Sequence, residues 1–256
     1  MGLPNDLKDK ICLVTGASRG IGAAVACALG RCGAHVAVHY RTGRDEAAAV
    51  ADDIEQAGGR AVLLQGDIAE RRVIERLVSE AEAAFGGLDI LINNAGDLIA
   101  RYPVVDTTDE FFDQQVATNI RPVFAACRAA IPVMRRRGGG VIVNVSSVAA
   151  RTGGGGGSSL YASSKAFVAT FTRALAKELA PDRIRVNAVS PGVIDTPMQD
   201  RTTPREQLQA ALAQIPLRRV GAAEECAGTF LYLCSEELSG YVTGQNIEVN
   251  GGLIMP

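Results

Sequence analysis

The chain has 256 residues, of which 47% are hydrophobic and 21% charged, with a formal net charge of -2. That length holds one large domain with a sizeable core, or two small ones. The near-neutral charge gives no reason to expect nucleic acid or an anionic membrane as partner, and no apolar run reaches the roughly 18 residues that suggest a membrane span.

The opening stretch, "MGLPNDLKDKICLVTG", lacks the basic and apolar regions of a secretion signal. Gly2 stands where a myristoylated glycine would, but position 6 is Asp6 instead of Ser or Thr. A cytoplasmic location is therefore expected. The six cysteines, Cys12, Cys27, Cys32, Cys127, Cys226 and Cys234, form no CxxC pair. They read as small hydrophobes of a reducing compartment. His35 and His39 share one face of a predicted strand without a clustered third ligand, so no metal site is expected.

In chain order, "KICLVTG" reads as a buried strand and "IGAAVACALGRCG" as a helix stopped by Gly33. "AHVAVHY", "AVLLQGD" and "LDILINNAG" are further strands, separated by helical stretches at 44–59 and 70–87. A long helical stretch covers 108–137, and Pro122 and Pro132 should bend or break it. "GVIVNVSS" is a fifth strand, "LYASSKAFVATFTRALAKELA" a helix and "IRVNAVSPG" a sixth strand. A helical excursion between prolines, about 195–220, precedes a helix at 223–236 and a last strand, "QNIEVNGG".

Strict alternation of near-continuous apolar strands with helices predicts an α/β fold with a parallel, doubly wound sheet. The alternation runs through Gly153–Gly157 without a change of composition. One domain over residues 1–256 is expected, with no linker at the glycines.

"TGASRGIG" lies between the first strand and first helix, and its glycines Gly16, Gly20 and Gly22 suit a tight turn that lets backbone approach a pyrophosphate. The second strand ends in His39 and Tyr40 without the acid that would hold the ribose hydroxyls of NAD. Arg41 follows it, and Arg19 sits in the glycine loop. Two arginines there can clamp a 2'-phosphate, which favours NADP over NAD.

Beyond these, Asp67, "NNAG" (93–96), Asn119 in "TNIRPV", Ser147 in "NVSSVAA", "YASSK" (161–165), "RVNAVSPG" (185–192) and "YVTGQNIEVNGG" follow in order. With them the chain resembles the short-chain dehydrogenase/reductase family over nearly its whole length, including members of the 3-oxoacyl carrier-protein reductase and glucose dehydrogenase type. The resemblance implies a Rossmann-like sheet of seven strands. It also implies hydride transfer between a nicotinamide cofactor and an alcohol or carbonyl.

The resemblance further implies where the cofactor lies. Gly16, Ser18, Arg19, Gly20, Ile21 and Gly22 would hold its phosphates, with Tyr40 and Arg41 beside the adenosine ribose. Asp67 and Ile68 would meet the adenine, and Asn93, Ala95 and Gly96 would line the adenosine side. Pro191, Gly192, Ile194 and Thr196 would hold the nicotinamide, and Tyr161 and Lys165 would reach its ribose.

Tyr161 and Lys165 are four residues apart, so their side chains leave one helix face. A nearby ammonium is expected to lower the phenol pKa from about 10 and make Tyr161 a general acid in reduction and base in oxidation. Ser147 would hydrogen-bond the substrate oxygen. It precedes Tyr161 by one residue more than the usual family spacing, and Ser146 remains the alternative. The resemblance gives Asn119 a role in holding a water that relays protons to Lys165.

The glycine run should border the substrate pocket and be more mobile than its flanks. The excursion should form a lid, with Met198, Leu208 and Leu212 for apolar contacts and Arg201, Arg205, Arg218 and Arg219 as cations. Phe167, Phe171, Leu175 and Leu179 form one helical stripe, consistent with core or with packing in a homo-oligomer such as a tetramer.

A small ketone or secondary alcohol is the expected substrate. An acyl carrier protein would need a basic patch, which Arg135, Arg136, Arg137 and Arg183 could supply. A sugar dehydrogenase would not. A protein that kept the fold and NADP but lost chemistry, acting as a regulator, is the alternative of another class.

Overall fold

Buried apolar runs form the strands, and the longer amphipathic runs between them form the helices. The computed structural model describes residues 3–255. In chain order its elements are β1 Ile11–Val14, α1 Gly20–Arg31, β2 His35–Tyr40, α2 Arg44–Gln56, β3 Arg60–Gln65, α3 Val73–Phe85 and β4 Ile90–Asn93. Then come α4 Asp109–Asn119, α5 Arg121–Arg137, β5 Gly140–Val145, α6 Ala149–Thr152, α7 Ser159–Leu179 and β6 Ile184–Pro191. The chain closes with α8 Pro197–Thr202, α9 Arg205–Gln214, α10 Ala223–Cys234, α11 Glu236–Ser239 and β7 Asn246–Val249. Gly2, the position weighed for acylation, lies outside the described residues.

The seven strands pair in parallel in the order β3-β2-β1-β4-β5-β6-β7. Side chains alternate across the sheet, and both sides are apolar. Cys12 and Val14 of β1 pack toward α1, α2 and α10, whereas Ile11 and Leu13 pack toward α3, α5 and α7. The strand order reverses between β1 and β4. A crevice opens there beyond the carboxyl ends of the strands, where ligands bind in open α/β sheets.

The long helical stretch breaks once. α4 ends at Asn119, and Pro122 occupies the first turn of α5, where a missing N–H costs little. Pro132, expected to bend or break the helix, lies inside α5, which runs on to Arg137. Pro132 and Arg128, one turn back, are both exposed, so the carbonyl that Pro132 deprives of a donor is on the solvent side. The helix stops at Gly138, whose φ of 85° is the left-handed cap.

Gly153–Gly157 is not a seam between domains. Tyr102 donates its backbone N–H to the Gly157 carbonyl at 3.0 Å. The φ of Gly157 is +72°, and a Cβ there would stand 3.0 Å from the Tyr102 nitrogen. The run is thus packed against the loop that follows β4.

Candidate active site

The turn after β1 and the turn after β4 are bonded to each other across the switch point. Thr15 Oγ1 donates to the Ile92 carbonyl at 3.2 Å and accepts from the N–H groups of Asn94 and Ala95, both at 3.0 Å. Asn94 Nδ2 donates back to the carbonyls of Thr15 and Gly16 at 2.9 and 3.1 Å. Gly16 has φ +65°, and a Cβ on it would crowd Ala95 at 3.1 Å. A Cβ on Gly22 would run into the Gly16 carbonyl. The glycines therefore let two backbones meet, and they leave the N-terminus of α1 facing the crevice. That cradle fits the phosphates of a dinucleotide.

At the end of β2 the sequence reading is off by one residue. Tyr40, expected beside the ribose, is 4% exposed and packs in the core among α1 and α2. His39 lines the cleft in its place. Its Nδ1 accepts from the Gly16 N–H at 3.0 Å and its Nε2 donates to the Gly66 carbonyl at 3.1 Å, which fixes a neutral tautomer. Burial lowers the His39 pKa, in keeping with that tautomer. Arg19 and Arg41 both line this end of the cleft. Arg19 lies 3.7 Å from Glu46 and Arg41 lies 3.6 Å from Asp67, and all four side chains keep solvent contact.

Asn93 is a second correction of the same kind. Its side chain points away from the cleft and donates to Asn144 Oδ1 at 2.8 Å in the buried core. Asn94, one residue on, is the lining residue. Ala95 and Gly96 line the cleft as expected, and so do Ser18, Gly20, Ile21, Asp67 and Ile68. At the other end it is lined by Pro191, Gly192, Ile194 and Thr196. The cleft has a volume of about 340 Å³.

Ser147, Tyr161 and Lys165 converge on this cleft. Ser147 follows β5, and its hydroxyl lies near enough to the Tyr161 phenol to favour phenolate. Ser146 is committed elsewhere: its Oγ donates to the Lys165 carbonyl at 2.9 Å. Lys165 Nζ stands 5.7 Å from the Tyr161 ring centre and donates to the Val145 carbonyl at 2.9 Å.

The expected lowering of the phenol pKa is not what the structure gives. Burial raises Tyr161 to about 12, against a smaller lowering from Ser147. Burial also lowers Lys165 to about 8. The cost of desolvating phenolate outweighs the ammonium, which faces the ring and a backbone carbonyl. At neutral pH the pair is therefore a protonated phenol beside an ammonium.

Asn119 is buried next to this cluster but does not line the cleft. Its side chain clamps Asp97: Nδ2 donates to the Asp97 carbonyl at 2.8 Å, and Oδ1 accepts from the Asp97 N–H at 2.9 Å. A Cβ on Gly96 would stand 2.9 Å from that Oδ1 and 3.1 Å from Lys165 Nζ. Both Nδ2 hydrogens are engaged, with Gln115 Oε1 as the second acceptor at 2.9 Å, and Oδ1 already accepts one bond, so the side chain is mostly committed to the clamp.

Two further expectations meet the structure away from the cleft. The triple arginine is not a free basic patch: Arg135, Arg136 and Arg137 pair with Asp182, Glu82 and Asp89 at 2.7, 2.6 and 2.9 Å. The aromatic stripe of α7 divides, with Leu175 and Leu179 in the core and Phe167 left 38% exposed. Among the described residues no group of three or more metal-binding side chains occurs, and no helix is long and apolar enough to cross a membrane.

A doubly wound parallel sheet with a glycine-rich turn at its switch point, and Ser, Tyr and Lys at the strand ends, defines a dinucleotide-dependent oxidoreductase. A family model described as enoyl-(acyl carrier protein) reductase matches residues 16–254. The chain is 38% identical over 252 residues to 3beta-hydroxysteroid dehydrogenase 1 of Eggerthella lenta, covering 98% of this chain and 96% of that one. It superimposes with a TM-score of 0.91 and 36% identity on an NADH-dependent reductase, A1-R', responsible for alginate metabolism, covering 98% and 100% of the two chains. A short-chain dehydrogenase from Burkholderia cenocepacia J2315 in complex with NADP gives a TM-score of 0.89 at 35% identity, covering 97% and 99%. The chain belongs to the short-chain dehydrogenase/reductase family. It is an oxidoreductase of hydroxyl and carbonyl groups that uses a nicotinamide cofactor.

Proposed function

We propose that the protein interconverts a small ketone and its secondary alcohol with NADP(H), with Tyr161 as the proton-transferring residue. The carrying observation is the convergence of Tyr161, Lys165 and Ser147 on the cleft that begins at the α1 N-terminus. The cofactor, when bound, supplies or accepts the hydride. Ser147 holds the substrate oxygen, and the Tyr161 phenol gives that oxygen its proton in reduction and takes it back in oxidation. Lys165 keeps positive charge beside the phenol and would hold the nicotinamide ribose when the cofactor is bound. Asn119 contributes through its backbone carbonyl, the group its side-chain clamp leaves available to a water.

The preference for NADP rests on Arg19 and Arg41 at the β2 end, where no acid occupies the ribose position. The lid is the 195–220 segment, and the whole chain acts as one domain in the cytoplasm. Exposed Phe124 and Phe167, which flank Phe171 with ring centres at 6.3 and 5.5 Å, support a homo-oligomer packed through α5 and α7.

A second reading, action on substrates tethered to acyl carrier protein, is favoured by the description of the matching family model. The self-paired arginines of α5 weigh against it. A panel of free ketones and carrier-bound 3-oxoacyl groups, run with NADPH and NADH in parallel, tests both readings. Reduction of free ketones that Tyr161→Phe lowers by roughly 10²–10⁴-fold is the expected result. NADPH binding without turnover across the panel would instead indicate a catalytically silent regulator.

A further inference from the structure

Two arginines cross the mouth of the cleft in opposite directions. Arg201, on α8, reaches back to the loop after β4 and donates from Nη2 to both oxygens of Asp97, at 2.6 and 2.7 Å. Arg101, at the far end of that loop, reaches forward to the lid. Its Nε donates to the Thr202 carbonyl at 2.7 Å and its Nη2 to Thr203 Oγ1 at 3.3 Å. Its Nη1 donates to the Gly156 carbonyl at 3.2 Å, which ties the glycine run to the same corner.

Apolar burial contributes little here, with Met198, Leu208 and Leu212 only partly covered. Neither α8 nor α9 has a buried residue. Among the described residues, the bonds from Arg101 and to Asp97 are the only hydrogen bonds that join residues 197–214 to the chain outside 194–221. The anchoring end, by contrast, is held by several bonds. Asn119 clamps Asp97 through its backbone, and Asp97 Oδ1 accepts from the Ile99 N–H at 3.1 Å. That turn holds Ile99 at φ 65°, a costly conformation for a β-branched residue that persists only where its surroundings impose it.

We infer that Asp97, Arg101 and Arg201 are positioning residues, an electrostatic latch that holds α8 and α9 over the substrate end of the cleft. The part played in turnover rests on the reading of that cleft as the hydride-transfer site; the latch itself does not. The latch also touches the chemistry. The charged groups around the Tyr161 phenol are Lys165 on its own helix, Asp97 and Arg101 from the loop after β4, and Arg201 against Asp97. Asp97 opposes phenolate, Arg101 favours it, and Arg201 spends the charge of Asp97 when the lid is down.

Hydrogen exchange of peptides covering 197–214 tests the latch in the full chain without any substrate. Asp97→Asn and Arg201→Gln should each speed exchange about threefold, the scale of a half-exposed ion pair. Arg101→Gln should speed it tenfold or more, because its bonds come from a charged donor. Raising salt from about 0.05 to about 0.5 M should speed exchange in the wild type and leave Asp97→Asn unmoved. Unchanged exchange in all three variants overturns the latch. In turnover, KM should rise more than kcat falls.

The pH limb of alcohol oxidation separates positioning from mere loosening. Asp97→Asn should move it to lower pH and Arg201→Gln to higher pH, although both variants loosen the lid alike. Movement in the same direction overturns the coupling to Tyr161. A protein whose exchange behaves as described but which reduces no carbonyl would keep the latch and sink the catalytic reading.

Discussion

Lys165 Nζ faces the Tyr161 ring at 5.7 Å, but its hydrogen bond goes to the Val145 carbonyl, and burial holds its pKa at about 8. The protein thus carries a buried ammonium that is costly when folded. In the unfolded chain Lys165 stays protonated to about 10.5, so the unfolded state binds more protons between about pH 8 and 10.5. The cost is full below pH 8 and fades as pH rises through that window. The drop from 10.5 to about 8 corresponds to about 3 kcal/mol. Tyr161 has the opposite sign. Its folded pKa of about 12 holds the proton longer than the unfolded phenol at 10, so it adds stability below pH 10 that is lost between 10 and 12. Lys165→Met should therefore abolish turnover and raise the Tm of the cofactor-free protein by a few degrees at pH 7. The gain should shrink toward pH 10. A lower Tm at pH 7 would show that the ammonium stabilises the fold.

The two serines after β5 should separate cleanly by phenotype. Ser146 Oγ is buried and bonds the Lys165 carbonyl at 2.9 Å, so Ser146→Ala should cost about 1 kcal/mol of stability and little kcat. Ser147 Oγ faces the phenol and otherwise accepts only from the Ala149 N–H at 3.1 Å. Ser147→Ala should lower kcat by roughly 10²–10³-fold with a nearly unchanged Tm, as for loss of a donor to the reacting oxygen. Thermal melts and steady-state rates on the same preparations read both, and an exchange of the two phenotypes would make Ser146 the catalytic serine.

What the sequence makes legible follows from the range of each interaction. Tyr161 and Lys165 are one helical turn apart, so their meeting is local and readable. The glycine loop is likewise local. The misplaced residues, Tyr40 for His39 and Asn93 for Asn94, are each one position off on a buried strand. An antiparallel sheet with one wet face would have betrayed the phase by polar alternation. Here both faces are apolar, and one-residue parity leaves no trace in composition. The pairings of Arg201 with Asp97 and of the α5 arginines with Asp182, Glu82 and Asp89 bridge residues distant in sequence. No spacing rule reaches them, so a charge run that could have supplied a docking patch is an array of intramolecular ion pairs.

Cofactor preference should follow Arg41 more than any other single residue. Its guanidinium has solvent contact and a loose 3.6 Å approach to Asp67, so it is available to a 2'-phosphate. A charge-assisted hydrogen bond is worth about 1.5–3 kcal/mol, or roughly 10–150-fold. Arg41→Ala should raise KM for NADPH by about that factor and leave KM for NADH within a few-fold. Arg19→Ala should act in the same direction. Equal losses with both cofactors would remove the assignment of NADP.

Gly96 sets the tolerance of the site. Its φ is not in the left-handed region, so an alanine there meets no backbone strain and the substitution reads side-chain crowding alone. The added methyl would stand 2.9 Å from Asn119 Oδ1 and 3.1 Å from Lys165 Nζ. Neither group can retreat freely, because Asn119 holds both backbone groups of Asp97 and Lys165 holds the Val145 carbonyl. Overpacking of this kind costs about 1–3 kcal/mol, which lowers Tm by several degrees in a chain of this size. A displacement of order 1 Å at the proton-transferring residue can cost about 10²-fold in rate. Gly96→Ala should therefore fold, bind NADPH and lose one to two orders of magnitude in kcat. A folded variant with wild-type kcat would mean that Asn119 and Lys165 move without consequence, and that their placement is not what the chemistry depends on.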